Sequence, residues 1–195
     1  ERKNEAFSVD TADGGRKPLF TRITENVEAS KRNNFAKNIF GIISQDKFDF
    51  GDAFKNNFDF YSTIFEYLIK DYNVASGVYA EYFTPQAISS IIAKILVKMT
   101  PVEDKVYEVY DPSAGSGSLV LHLANELGEG SFGDKAHVFT QDISGKSSRF
   151  LRINMLLNGL TGSLDNIIEG DTLETPAHYN TPHDATSGVK QFDYI

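Results

Sequence analysis

The chain has 195 residues, 41% hydrophobic and 24% charged, the composition expected of a soluble globular protein with room for one sizeable core or two small ones. No run approaches the length of an apolar spanning helix, and the charged start Glu1-Arg2-Lys3-Asn4-Glu5 has no apolar stretch behind it, so neither a membrane span nor a secretory signal is expected. Cysteine is absent, which excludes disulfides and thiolate zinc sites, and the net charge of -8 argues against holding nucleic acid by a basic surface alone.

Residues 1 to about 18 are polar and contain Asp13-Gly14-Gly15-Arg16-Lys17-Pro18, which reads as a loop or frayed end. From about residue 21 to 72 the periodicity is helical. Phe35, Ile39, Ile42 and Ile43 share one face, as do Tyr61, Ile64, Phe65, Leu68, Ile69 and Tyr72, with a loop expected between the two runs. After a linker near residues 71–77, Thr84 is placed to cap a helix with Pro85 in its first position. Ile88, Ile91, Ile92, Ile95, Leu96 and Met99 are expected to form its buried stripe.

A strand over residues 106–111 follows, then a turn of small residues and a helix carrying Leu119, Val120, Leu123, Ala124 and Leu127. A second strand at 137–142 leads into a helix from about 146 to 158, and a third short strand covers 166–170. Residues 174–191 read as a loop, after which Phe192-Asp193-Tyr194-Ile195 begins a further strand. This alternation predicts an α/β domain with a parallel, helix-flanked sheet over residues 74–195, preceded by a mainly helical domain over residues 1–73.

The densest chemical signal is Asp111-Pro112-Ser113-Ala114-Gly115-Ser116-Gly117-Ser118, between strand and helix. Small residues let the backbone approach a ligand, and the helix start presents free N–H groups. A glycine turn alone serves helix packing as readily as binding. Asp142 at the next strand end turns the balance towards a nucleoside, whose ribose hydroxyls need such an acceptor. Gly145-Lys146-Ser147 mimics the tail of a phosphate-binding loop, but Thr140 stands where its first glycine belongs, and Asp142 would repel phosphate from within the loop. Ser113 and Ser116 lack the spacing of a hydrolase elbow. His178 and His183, beside Asp184, read as a solvated loop without a third metal ligand, so no metal is expected. Tyr82-Phe83, taken alone, reads as a hydrophobic staple.

Taken together, Ala80-Glu81-Tyr82-Phe83-Thr84-Pro85-Gln86, the Asp111–Ser118 run, Gln141-Asp142-Ile143, Arg152-Ile153-Asn154-Met155-Leu156-Leu157-Asn158-Gly159 and Gly170-Asp171-Thr172-Leu173 closely resemble the modification subunits of type I restriction–modification systems. These are N6-adenine DNA methyltransferases, and the resemblance spans at least residues 61–195. It implies a class I, Rossmann-like fold that reaches the start of its fourth strand here, and S-adenosylmethionine as cofactor. Glu81, Tyr82, Phe83, Thr84, Pro85 and Gln86 would lie along its methionine end, Thr84 offering its hydroxyl and the helix-start amides to the carboxylate. Asp111 would face its ammonium, and Ser113, Gly115, Ser116, Gly117 and Ser118 would form the backbone floor. Asp142 would accept from the ribose and Asp171 from the adenine amine. Ser118 stands where many relatives have a third glycine.

The family's catalytic Asn-Pro-Pro-aromatic element is expected just beyond Ile195. The chain, which also lacks an initial Met, therefore reads as a piece of a longer protein that should not transfer methyl by itself. Implied partners are double-stranded DNA with a flipped adenine, a specificity subunit and a restriction subunit, in the cytoplasm and away from membranes. Residues 74–195 carry 8 basic and 15 acidic groups, so phosphate attraction is expected to come from such a partner. A protein glutamine-N5 methyltransferase shares the cofactor half and is the alternative enzyme; a non-catalytic cofactor-binding assembly module is the alternative outside enzymes.

Overall fold

The computed structural model describes residues 8–18, 24–45, 67, 84–100, 103–128, 135–182 and 184–195. The expected helical face from Tyr61 to Tyr72 therefore falls, apart from Tyr67, outside the described residues.

Five strands and two helix crossovers build the main sheet. β1 (Ser8–Thr11) and β2 (Arg16–Pro18) form an antiparallel pair; β3 (Tyr107–Asp111), β4 (Ala136–Asp142) and β5 (Ile167–Glu169) run parallel, in the order β2-β1-β5-β4-β3. β1 lies parallel to β5, with Asp10 opposite Ile168. On the far side of β3, Tyr194 bridges to Val109 in parallel, so the expected further strand begins there. Beyond β2, α1 (Arg32–Ile43) follows a 3-10 turn. Its Phe40, Ile42 and Ile43 remain exposed.

Apolar positions two apart on β3 and β4 face α3 (Ser118–Leu127), and α4 (Gly145–Leu157) covers β4, β5 and β1. Tyr107, Val109, Val138, Val120, Leu121, Leu123, Leu151, Met155 and Ile167 form the continuous core between them. Arg152, inside this layer, spends its guanidinium on the Leu164 carbonyl. Among the described residues no helix is long and apolar enough to cross a membrane.

Four expectations need correction. Residues 8–18 are not a loose end but the β1–β2 hairpin. Gly14 (φ 80°) makes its turn, Asp10 pairs with Arg16, Lys17 pairs with Glu169 at the end of β5, and Val9 is fully buried. The region expected to open a mainly helical domain over residues 1–73 thus contributes two strands to the sheet.

The helix after Pro85, α2 (Gln86–Met99), starts one residue late. Pro85 is its extended flanking residue, with no side-chain cap, so Thr84 lies too far back to cap it. Apart from Leu96, the stripe on α2 is also the wrong one. Ser89 and Ala93 are buried, with Leu96 partly so, while Ile88, Ile91, Ile92, Ile95 and Met99 are exposed. Small residues let α2 approach α3 closely, and the larger side chains point elsewhere. Lastly, the loop at 174–191 contains a second hairpin, β6 (Tyr179–Thr181) with β7 (Asp184–Val189). Its base is anchored by an aromatic cluster on the back of the sheet, where Tyr110 stacks on Phe192 at 4.7 Å and Phe139 meets both Phe192 and His178.

Candidate functional site

Parallel strands with helical crossovers bring their carboxyl ends to one edge, and the expected acids arrive there from three separate strands. Asp111 ends β3, Asp142 ends β4, and Asp171 follows β5 by two residues. The turn from β3 to α3 is tight. Ala114 N–H donates to the Gln141 carbonyl at 3.3 Å, Gly117 N–H to the Ala114 carbonyl at 2.8 Å, and Asn154 holds the Ser116 carbonyl at 3.0 Å. Gly115 and Gly117 take φ of 54° and 89°. At Gly117, which opens α3, a Cβ would overlap the Leu151 side chain. Backbone shape requires both glycines and packing also requires Gly117, whatever else they do.

Asp142 is 9% exposed and binds two turns at once. One carboxylate oxygen accepts from Gly115 N–H and the other from Ser144 N–H, each at 2.8 Å. A carboxylate has about four lone-pair positions, so two remain to accept from further donors. Sequence reasoning assigned only the ligand role; the backbone role appears with the fold.

Asp111 accepts from Ser113 N–H at 2.9 Å. Burial raises its pKa above the ordinary carboxylate value, the Ser113 bond opposes this, and the charge of Asp142 adds to the rise. A half-buried carboxylate near a second one favours a cation, and an ammonium group would suit it. The raised pKa has a stability consequence. A folded-state pKa above the unfolded value means that the stabilising contribution is complete below the unfolded pKa and lost as pH rises through the folded one. Asp111→Asn, which keeps an acceptor for Ser113, is therefore expected to raise the unfolding midpoint of the ligand-free protein at pH 7, with the gain vanishing at acid pH. Thermal unfolding across pH checks this; a pH-independent difference contradicts it.

Asp171 closes a compact turn, accepting from Leu173 N–H at 2.8 Å and Glu174 N–H at 3.2 Å. Thr172 Oγ1 donates to the Pro112 carbonyl at 2.6 Å and ties this turn to the glycine turn. Two large apolar side chains flank the acids in the open: Ile143, 71% exposed, follows Asp142, and Leu173, 93% exposed, lies two residues after Asp171. The sequence motifs include both residues but give neither a role; an exposed apolar residue beside a strand-end acid is the signal that could have assigned one. Carboxylates for hydroxyls and an amine, with apolar surface for a flat ring, form a chemistry suited to a nucleoside.

Thr84, Pro85 and Gln86 lie at the start of α2, while Glu81, Tyr82 and Phe83 fall outside the described residues. A cavity of about 160 Å³ beside Asp111 takes its α2 wall from Ile92, Ala93 and Leu96, so the middle of the helix faces Asp111 and Pro112 there. Ser113 and Ser118 flank the turn as expected from the motif, and Ser116 is buried within it.

The rival phosphate-loop reading finds no room. At the start of α4 the Ser144 side chain accepts from Ser147 N–H, Asp142 takes Ser144 N–H, and the Glu169 carboxylate presses against Gly145. The two carboxylates beside Ser144 and Gly145 would repel a phosphate there.

His178 differs from its solvated-loop reading. Its Nε2 donates to the Thr140 carbonyl at 3.0 Å, its ring packs edge-on to Tyr110 and Phe139, and burial holds its pKa below the usual imidazole value. His183 lies outside the described residues. Among the described residues no group of three or more His, Asp or Glu is arranged to hold a metal ion.

Known proteins match this chain in sequence and in structure. The family model for N-6 DNA methylase matches residues 56–195. The type I restriction enzyme MpnII methylase subunit of Mycoplasma pneumoniae is 33% identical over 135 residues, 69% of this chain and 24% of that protein. This chain thus spans about a quarter of that relative's length. Among solved structures, the type I restriction-modification system methyltransferase subunit from Streptococcus thermophilus is 23% identical, with a TM-score of 0.42 over 53% of this chain and 20% of that one. A modification subunit of a putative type I restriction enzyme from Vibrio vulnificus is 18% identical, with the same TM-score over 56% of this chain and 22% of that one.

Proposed function

Because the chain belongs to the N-6 DNA methylase family, we propose that it carries the cofactor-holding half of a class I methyltransferase that modifies adenine N6 in DNA, as the modification subunit of a type I restriction–modification system in the cytoplasm. The observation that carries this reading is the convergence of Asp111, Asp142 and Asp171 on the turn made by Gly115 and Gly117, tied together by the Asp142–Gly115 and Thr172–Pro112 hydrogen bonds. The domain division at residue 73 belongs to the same proposal, with the β1–β2 hairpin joining the second part.

S-adenosylmethionine fits the donor set, and when bound it supplies an already activated methyl group. The residues of this chain would hold it: Asp111 its ammonium, Ser113, Gly115, Ser116, Gly117 and Ser118 the backbone floor, Asp142 its ribose, Asp171 its adenine amine, and residues 81–86 its methionine end. Holding donor and acceptor in one geometry is the main contribution such a site makes. The acceptor side, an Asn-Pro-Pro-aromatic element around a flipped adenine, does not occur among these 195 residues. Eight basic against fifteen acidic groups over residues 74–195 support a separate DNA-reading partner, a specificity subunit, with a restriction subunit completing the assembly.

The test is methyl transfer. The full-length protein is incubated with labelled S-adenosylmethionine and genomic DNA, with and without its specificity partner. Label is expected on adenine N6 when the partner is present. Label on a protein glutamine would establish the glutamine-N5 alternative, and cofactor binding without transfer under any condition would establish the assembly-module alternative.

A further inference from the structure

We propose that Gln141 is a positioning residue for the cofactor, fastening the turn at 171–175 to the end of β4 so that Asp171 stays in register with Asp142. Its side chain is fully buried on the sheet face opposite α3. Both ends of its amide are used on one loop: Nε2 donates to the Thr175 carbonyl at 2.8 Å, and Oε1 accepts from Ala177 N–H at 3.0 Å. Gly170 makes room for this, since a Cβ there would crowd Ala12 and approach the Gln141 amide.

The turn that Gln141 holds is a unit in itself. Thr175 N–H donates to the Asp171 carbonyl at 2.8 Å, and the Asp171 side chain takes Leu173 N–H and Glu174 N–H. Such a unit moves as a whole, so its place depends on what ties it down. Thr172 ties one side to the Pro112 carbonyl, and Gln141 ties the other to β4; His178, through Thr140, anchors the exit. The neighbour of Gln141 in the chain is Asp142. One strand end therefore supplies the ribose acceptor and also fixes the distance to the adenine acceptor. An apolar residue of the same length would fill the space equally well, but it would leave Thr175 and Ala177 without their partners.

This inference rests on the cofactor reading above, and the experiment separates the two. In the full-length protein, Gln141→Met keeps the shape and removes both hydrogen bonds, while Thr172→Val releases the other side without touching a buried position. Hydrogen exchange at residues 173–177 is expected to speed up about tenfold in Gln141→Met, with β3 and β4 unchanged, consistent with the loss of two modest hydrogen bonds. KM for S-adenosylmethionine should rise by about the same factor while kcat at saturation is retained, and saturating cofactor should restore the loop's protection. Thr172→Val should act in the same direction by a smaller factor, and it decides the matter if Gln141→Met fails to fold. Unchanged loop exchange, or a freed loop with unchanged KM, overturns the proposal. If the wild-type protein binds no S-adenosylmethionine, the cofactor reading falls and the positioning role falls with it, whereas the exchange data still report whether Gln141 fastens the loop.

Discussion

Gly117→Val is expected to lower stability by about 2–5 kcal/mol, the largest loss of any single change at the site. The sum has two parts. A side chain at left-handed φ costs roughly 1–2 kcal/mol, and inserting carbon into a filled core roughly 1–3 kcal/mol. Gly117 incurs both, because its φ is 89° and a Cβ would run into Leu151, a fully buried core residue, with Leu121 behind it. Gly159 separates the contributions. Its φ is 76°, but nothing lies within 4 Å of an added Cβ, so Gly159→Ala should cost only the conformational part. Urea unfolding of Gly117→Ala, Gly117→Val and Gly159→Ala checks the account. Equal losses at the two glycines would mean that Leu151 yields and that close packing under the turn is not what Gly117 provides.

Asp142→Ala is expected to weaken S-adenosylmethionine binding by about 1.5–3 kcal/mol, the range for hydrogen bonds to a charged group, which is roughly a 10- to 150-fold rise in Kd. The substitution also leaves Gly115 N–H and Ser144 N–H without their acceptor, so both the floor of the site and the start of α4 loosen. Some loss of stability must accompany the loss of affinity. Asp142→Asn divides the two, since its single oxygen can serve one amide while its NH₂ group opposes the other. Isothermal titration alongside urea unfolding measures both effects. An unchanged Kd in Asp142→Ala removes Asp142 from the ribose role, whatever happens to stability.

The parts of the site that were legible in the sequence are those written in consecutive residues. Asp111 to Gly117 announces a turn, a helix start and an acid within one run, and Asp142 and Asp171 each stand at the end of a strand-like segment. What was illegible depends on distant partners. The β1–β2 hairpin has strands of four and three residues, too short for periodicity to mark, and it is held by β5 about 150 residues away. On α2, periodicity identified an amphipathic helix but not which side meets its neighbour; Ser89 and Ala93 won because close approach to α3 favours small residues. The second task of Asp142 and the clamp of Gln141 both use backbone atoms as partners, and backbone atoms leave no pattern in a sequence. His178 looked solvated among polar neighbours, and only the sheet's back face, with Phe139 and Tyr110, reveals its packing.

The acids at the carboxyl edge of the sheet are expected to accept a cationic nucleoside cofactor and to exclude a triphosphate. Calorimetric titration of the full-length protein with S-adenosylmethionine and with ATP tests it most directly, using Asp142→Ala and Lys146→Ala as paired variants. Saturable binding of S-adenosylmethionine, stronger than that of ATP, weakened in Asp142→Ala and little changed in Lys146→Ala, is the predicted result. ATP binding tighter than S-adenosylmethionine and lost in Lys146→Ala would contradict it, and would return the site to the phosphate loop that Thr140, Asp142 and Glu169 argue against.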